Sequence, residues 1–113
     1  MYNIKKIIIN LENRPNRLIN TLKELKKVNL SNDTIRIEAC NPNYAEMNMH
    51  KYINNDIFNN IKNPTSTFLI SSFKNLACAI SHIKSWEYVI LNKIPHAIII
   101  EDDIEIVSVF VKP

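Results

Sequence analysis

The segment Ala97–Asp103 constrains the fold more than any other part of this 113-residue chain. Its start is apolar and mostly β-branched, which predicts a buried strand, and three carboxylates follow at once. Open α/β sheets bind ligands beyond the carboxyl ends of their parallel strands. Adjacent like charges repel one another, and a divalent cation relieves that repulsion. The segment therefore predicts either a site for a metal ion and a phosphate group or a solvated acidic turn.

The first third of the chain alternates between strand and helix patterns. Ile4–Ile9 predicts a strand, and Pro15 opens a helix whose apolar residues recur at helical spacing until Asn29 is reached. Thr34–Ala39 alternates between apolar and polar residues, as a second strand does. A strand–helix–strand order with a connection of this length implies a parallel pair with a right-handed crossover. The pattern predicts an α/β fold.

The middle of the chain, Cys40–Ser66, is less regular. Its apolar spacing fits one helix from about residue 49 to residue 62, although the many asparagines favour caps and turns. A mobile loop that carries a single helical turn is the alternative. The following residues, Thr67–Ile70, predict an edge strand or an extended segment.

The longest predicted helix is Lys74–Asn92, with Ser71 or Ser72 as its cap. Within this helix Trp86 is expected to lie in the core, because large aromatic side chains dominate core area. The β-branched run Ile104–Val111 favours another strand.

Composition indicates one small soluble domain over residues 1–113. Hydrophobic residues make up 46% of the chain and charged residues 22%. The net charge of +3 is spread along the chain without a basic stripe, which argues against nucleic acid as a partner. Glycine is absent, so asparagine is expected at positions of positive φ, and the usual glycine-rich phosphate loops are excluded.

The two cysteines, Cys40 and Cys78, lack the spacing of a zinc site. Free buried thiols in a reducing compartment are expected, with a disulfide as the alternative. The apolar run at the start is too short for a signal peptide, and no segment reaches the length of a membrane span. These features favour a cytoplasmic protein.

Three predicted strands end in polar residues, and in a parallel sheet these ends lie at one edge: Asn10 with Glu12, Glu38–Asn41 and Glu101–Asp103. The sequence thus predicts a nucleotide pocket with a metal ion at one end. Arg14 and Arg17 either add positive charge near the phosphates or lie in solvent at a helix start. His82 either faces the ligand as a donor or is a helical histidine without a role.

Four short segments occur in order between residues 7 and 104. They are Ile8-Ile9-Asn10-Leu11 followed by Arg14 and Arg17, then Arg36-Ile37-Glu38-Ala39, then Ala77-Cys78-Ala79-Ile80-Ser81-His82 with Trp86, and finally Ile99-Ile100-Glu101-Asp102-Asp103. Together they resemble the segments of glycosyltransferase family 25, the lipopolysaccharide-type galactosyltransferases related to collagen galactosyltransferases. Ala77 and Asn41 stand where the family usually has glycine.

The resemblance implies a GT-A-like, Rossmann-like fold with a partly parallel sheet flanked by helices. It implies inverting transfer of a hexose, galactose above all, from a UDP-sugar donor to a glycan or protein acceptor. Glu101 and Asp103 would hold Mn²⁺ or Mg²⁺, with Asp103 in direct contact. The implied donor-binding residues are Asn10, Leu11, Arg14, Arg17, Ala39, Ser81 and His82.

Family 25 domains continue beyond the acidic segment with acceptor-binding strands. The resemblance therefore predicts that this chain is the N-terminal, donor-binding half of a glycosyltransferase, an incomplete domain in which no residue stands out as the general base. The alternatives are a truncated, non-catalytic nucleotide- or partner-binding remnant and a structural α/β domain. An exposed sheet edge would also permit self-association.

Overall fold

The computed structural model describes residues 4–65 and 70–105, which form an α/β arrangement. The strands and helices follow one another as β1 (Lys5–Asn10), α1 (Pro15–Lys27), β2 (Thr34–Glu38), α2 (Pro42–Asn48), α3 (Asn55–Lys62), α4 (Phe73–Leu91) and β3 (Ala97–Glu101). A single 3₁₀ turn, Met49–Lys51, lies between α2 and α3. The predicted α/β class is confirmed.

The three described strands form one parallel sheet in the order β2–β1–β3. Asn10 at the end of β1 pairs with Glu38 of β2, and Ile9 pairs with Glu101 of β3. The parallel pairing predicted from the strand–helix–strand order is confirmed. The carboxyl ends of all three strands consequently lie at the same edge of the sheet.

Two apolar clusters are found among the described residues. In the first, Ile8 and Ile100 pack against Leu25 of α1, with Leu18 and Ile104 at its border. The second cluster joins α4 to α2 and to the segment after β2: Cys40, Ala45, Leu76, Ala77 and Ile80. The first cluster packs α1 against the sheet, and the second packs α4 against α2. The first turns of α1 and α4 border the carboxyl edge of the sheet.

The prediction that the strand before the three acids is buried is only partly correct. Ile100 is 8% exposed, but Ile98 is 43% exposed. The centre of the described sheet is β1, in which Ile7 and Ile8 are fully buried, while β3 lies at its edge. An edge strand has a neighbouring strand on one side only, so apolar composition alone overstates its burial.

The prediction of a single helix from residue 49 to residue 62 is wrong. The chain forms α2 before that range and α3 within it, because two asparagines act as helix caps. The Asn41 side chain accepts a hydrogen bond from the Tyr44 N–H, and the Asn54 side chain accepts one from the Ile57 N–H. Asparagine is a strong N-cap, so it starts helices at points where the apolar spacing predicts continuity.

The two longer helices agree with their predictions. The first, α1, starts at Pro15, and the chain turns at Asn29, which has a φ of 60°. The longest helix, α4, is capped by Ser72, whose hydroxyl accepts a hydrogen bond from the Asn75 N–H. Among the described residues of this glycine-free chain, Asp33 and Lys93 also adopt positive φ.

The extended segment predicted at 67–70 and the strand predicted at 104–111 lie, apart from their ends, outside the described residues. Within the described residues, no helix is both long and apolar enough to cross a membrane.

Candidate functional site

A cleft of about 440 Å³ opens at the carboxyl edge of the sheet. Its walls come from the ends of β1 and β3, the segment after β2, and the first turns of α1 and α4. Small-molecule sites have volumes of this order and occur at this edge of open α/β sheets. Of the residues predicted for the site, the following line the cleft: Leu11, Arg17, Ala39, Ser81, His82, Glu101 and Asp103.

Asn10 lies behind the cleft rather than in its wall, and its side chain is 2% exposed. Its Nδ2 donates hydrogen bonds to Asp102 Oδ2 at 2.8 Å and to the Arg14 carbonyl at 3.0 Å. Its Oδ1 accepts one from Arg36 Nε at 2.9 Å. The whole amide is thus engaged within the protein. Arg14 contributes this carbonyl, and its exposed side chain is not part of the cleft wall.

Glu101 is held from α4 by two neighbouring side chains. Its Oε1 lies 3.1 Å from His82 Nε2 and accepts a hydrogen bond from Cys78 Sγ at 3.3 Å. The His82 contact, followed by the Cys78 contact, lowers the pKa of Glu101 below its usual range. Glu101 is therefore an ionised carboxylate at neutral pH, with its second oxygen free of hydrogen bonds from the described residues.

The other two acids of the turn differ in their surroundings. Asp103 is exposed in the cleft wall, and no hydrogen bond or ion pair ties it to the described part of the chain. Asp102 is 15% exposed, and its Oδ1 lies 3.8 Å from Arg17 Nη1 while its Oδ2 accepts the bond from Asn10. Both oxygens of the middle acid therefore face protein partners, whereas Glu101 uses one oxygen for such contacts and Asp103, within the described residues, uses none.

Positive charge enters the cleft through Arg17 and Lys74, both exposed. The sequence reasoning missed Lys74. Its position in the first turn of α4, two residues after the cap Ser72, was a usable signal, because that turn adjoins the sheet edge. The described residues of the cleft wall therefore include the carboxylates of Glu101, Asp102 and Asp103 and the cationic side chains of Arg17 and Lys74.

Ser81 stabilises one wall of the cleft from within α4. Its hydroxyl accepts a hydrogen bond from the Cys40 N–H at 2.8 Å and donates one to the Ala77 carbonyl at 2.9 Å. Both Ser81 and Cys40 are buried. The serine therefore ties the segment that follows β2 to α4.

Two expectations about α4 are wrong. Cys78 is exposed and lines the cleft, and Trp86 is 54% exposed with its ring centroid 6.4 Å from that of His82. Cys78, His82 and Trp86 follow one another at four-residue spacing, so they share one face of the helix. That face borders the edge strand β3 instead of the central strand. The expectation that both thiols are free is confirmed, and only Cys40 is buried.

The family model described as Glycosyltransferase family 25 (LPS biosynthesis protein) matches residues 3–112, nearly the whole chain. The chain belongs to glycosyltransferase family 25. No curated protein and no solved structure gave a match. Each of the four family 25 segments noted in the sequence contributes residues to the cleft wall: Ile9, Leu11 and Arg17 from the first, Ala39 from the second, Ala77, Cys78, Ser81 and His82 from the third, and Glu101–Asp103 from the fourth.

Metal ligation in this family 25 chain would depend on few protein groups. Across residues 4–65 and 70–105, no cluster of three or more histidine, cysteine, aspartate or glutamate side chains is arranged to hold a metal ion. Glu101 and Asp103 are two oxygen donors of the type that hard divalent cations prefer.

Proposed function

We propose that this family 25 chain binds a UDP-hexose in the cleft and belongs to a GT-A-type domain. That domain would transfer the hexose, with inversion, to a glycan or protein acceptor. UDP-galactose is the first donor to test. One observation carries the proposal. The open carboxylates Glu101 and Asp103 share a cleft with Arg17 and Lys74 at the carboxyl edge of a parallel sheet. A bound diphosphate needs positive charge, and a cation shared with it needs carboxylates.

The residues present fit a hard divalent cation, Mn²⁺ or Mg²⁺. Among the described residues, Asp103 is exposed without a hydrogen-bond or ion-pair partner, and Glu101 is ionised with one oxygen that accepts no hydrogen bond from them. In nucleotide sites such a cation commonly takes one or two carboxylates and completes its shell with phosphate oxygens and water. When bound, it neutralises charge on the departing diphosphate.

Different residues of the chain would contact different parts of the donor. Arg17 and Lys74 would contact phosphate oxygens through charge-assisted hydrogen bonds. Leu11 and Ala39 lie in the wall formed by the ends of β1 and β2, where the base and ribose would rest. His82 would keep Glu101 ionised and oriented, and Ser81 would hold the wall that carries Cys40.

The proposal is tested by calorimetric titration of UDP, with and without Mn²⁺, into the wild-type chain and Asp103→Ala. We expect binding that requires Mn²⁺ and weakens at least about tenfold in the variant, since a direct ligand is lost. Asp56→Ala, in the first turn of α3 and away from the cleft, is the matched control and should bind like wild type. A folded wild-type chain that binds neither UDP nor Mn²⁺ would overturn the proposal.

Turnover distinguishes an enzyme from a nucleotide-binding remnant of the family. Release of UDP from UDP-galactose in the presence of Mn²⁺ measures both hydrolysis and transfer. Metal-dependent binding without UDP release would favour the non-catalytic alternative, because the donor site would then exist without a group that activates the acceptor.

Self-association through the outer edge of β3 stays a prediction. Ile98 on this strand is 43% exposed, and among the described strands β3 pairs only with β1. An unpaired strand edge is a template for pairing with another chain. Size-exclusion chromatography with light scattering at micromolar concentration would contradict the prediction by giving the mass of a monomer.

A further inference from the structure

A chain of hydrogen bonds runs behind the cleft from β2 to the acidic turn. Arg36 donates from Nε to Asn10 Oδ1 and from Nη2 to the Asn10 carbonyl, each at 2.9 Å. Asn10 donates in turn from Nδ2 to Asp102 Oδ2 at 2.8 Å. The two ends of the link from Asn10 to Asp102 are 92 residues apart in sequence. It joins the central strand to the turn beyond the edge strand.

We infer that Asn10 and Asp102 are positioning residues of the donor site. In this inference Asp102 does not bind the cation. Its hydrogen bond with Asn10 fixes the conformation of the turn so that Glu101 and Asp103 remain open to the cleft. The link itself is observed in the structure, and only its consequence for ligand binding rests on the proposed function.

The use of the two oxygens of Asp102 supports this assignment. Its Oδ2 accepts from an amide that is 2% exposed, and its Oδ1 lies 3.8 Å from Arg17 Nη1. A cation at Asp102 would have to compete with Asn10 for one oxygen or with Arg17 for the other. Displacing Asn10 would leave a buried N–H donor without an acceptor, which is costly. Asp103, next along the chain, has no such partner within residues 4–65 and 70–105.

The same carboxylate connects the two halves of the proposed donor site. Through Asn10 it orients the turn that presents Glu101 and Asp103, and its other oxygen lies 3.8 Å from Nη1 of Arg17, which lines the cleft. Because Arg36 and the Arg14 carbonyl also bind Asn10, the amide cannot rotate freely. A change at Asp102 should therefore weaken both cation and diphosphate binding without removing a ligand of either.

The test compares Asp102→Ala with Asp102→Asn for Mn²⁺ affinity, measured by electron paramagnetic resonance, and for UDP affinity, measured by calorimetry. The asparagine keeps an oxygen that accepts from Asn10, but it carries no charge and is therefore a weaker ligand for Mn²⁺ than a carboxylate. We expect the alanine variant to lose about tenfold or more in both affinities, because mutating a residue that orients metal ligands typically has an effect of that size. The asparagine variant should lose at most about threefold. Glu105→Ala, an exposed acid near the turn, is the control.

Equal large losses in both variants would identify Asp102 as a direct ligand and overturn the inference. An alanine variant that binds like wild type would overturn it as well. Thermal unfolding of each variant separates these results from a loss of fold.

Nuclear magnetic resonance of the ligand-free wild-type chain tests the link separately. The Asn10 side-chain amide protons should exchange slowly with solvent, and the backbone amides of residues 101–103 should shift far more in Asp102→Ala than in Asp102→Asn. If the wild type binds neither Mn²⁺ nor UDP while these signals behave as expected, the proposed function fails and the positioning of the turn stands. If the Asn10 amide protons exchange as fast as those of a free side chain, the inference fails, whether or not Mn²⁺ and UDP bind. This result comes from the wild type and holds even if the alanine variant does not fold.

Discussion

His82 Nε2 and Glu101 Oε1 lie 3.1 Å apart, although one residue is on α4 and the other ends β3. This contact lowers the pKa of Glu101 below its usual value of 4.5, and the hydrogen bond from Cys78 is the second cause of the shift. A carboxyl group whose pKa is lower in the folded state stabilises the fold above its unfolded pKa, and that contribution disappears as the pH falls through the folded pKa. The ionised form of Glu101 therefore stabilises the join between helix and sheet at neutral pH.

We expect Glu101→Gln to reduce the free energy of unfolding more at about pH 6 than at about pH 3, because protonation already removes the charge at low pH. Urea unfolding at both pH values measures the difference. Glu46→Gln, an exposed position on α2, is the comparison and should show little pH dependence of its effect. A loss for Glu101→Gln that is the same at both pH values would contradict the assignment.

Cys78 should react slowly with iodoacetamide at neutral pH. Partial desolvation of its sulfur at the cleft wall, then the hydrogen bond to Glu101 and the negative charges of Glu101 and Asp103, raise the pKa of this exposed thiol. Because the thiolate is the reactive form, Glu101→Gln should speed the labelling of Cys78 severalfold, as followed by mass spectrometry. Cys40, which is buried, provides the internal control and should stay unlabelled in the folded chain. An unchanged rate at Cys78 would show that the carboxylate does not govern its reactivity.

Removal of the Ser81 hydroxyl should destabilise the fold by about 1–3 kcal/mol, because it leaves the buried N–H of Cys40 without an acceptor. Ser85 is the matched control. It is equally buried on the same helix, but its hydroxyl donates only to the Ser81 carbonyl, within α4. Ser85→Ala should therefore cost under about 1 kcal/mol in a urea titration. Similar losses for the two alanine variants would argue against a special role for the bond to Cys40.

Arg17→Ala and Lys74→Ala should each weaken UDP binding about tenfold in the presence of Mn²⁺ and leave the weak binding of uridine much as it is. The reason is that both cations are proposed to contact phosphate oxygens and not the base. The loss for each variant should shrink as the salt concentration rises, since these side chains are exposed. Lys26→Ala, in the last turn of α1, is the matched control. Equal losses for UDP and uridine would place the phosphates elsewhere.

Much of the fold could be predicted from local pattern. The strand–helix–strand start, the long helix α4 and the strand before the acidic turn all follow from apolar spacing, proline and cap residues. The helices of the middle segment could not be predicted in the same way, because the caps Asn41 and Asn54 look like the other asparagines of that region until their hydrogen bonds are seen. The membership in family 25 followed from segments that are close in type and order to those of the family.

The sequence by itself determined the α/β class, the parallel order of the first strands and the gathering of polar strand ends at one edge, since these depend on periodicity and connection length. Only the tertiary structure decided which side chains face the cleft. It turned Asp102 toward Asn10, brought Lys74 and Cys78 into the wall and left Trp86 exposed. Such outcomes depend on contacts between residues far apart in the chain, such as the one that spans 92 positions, and no local spacing encodes them.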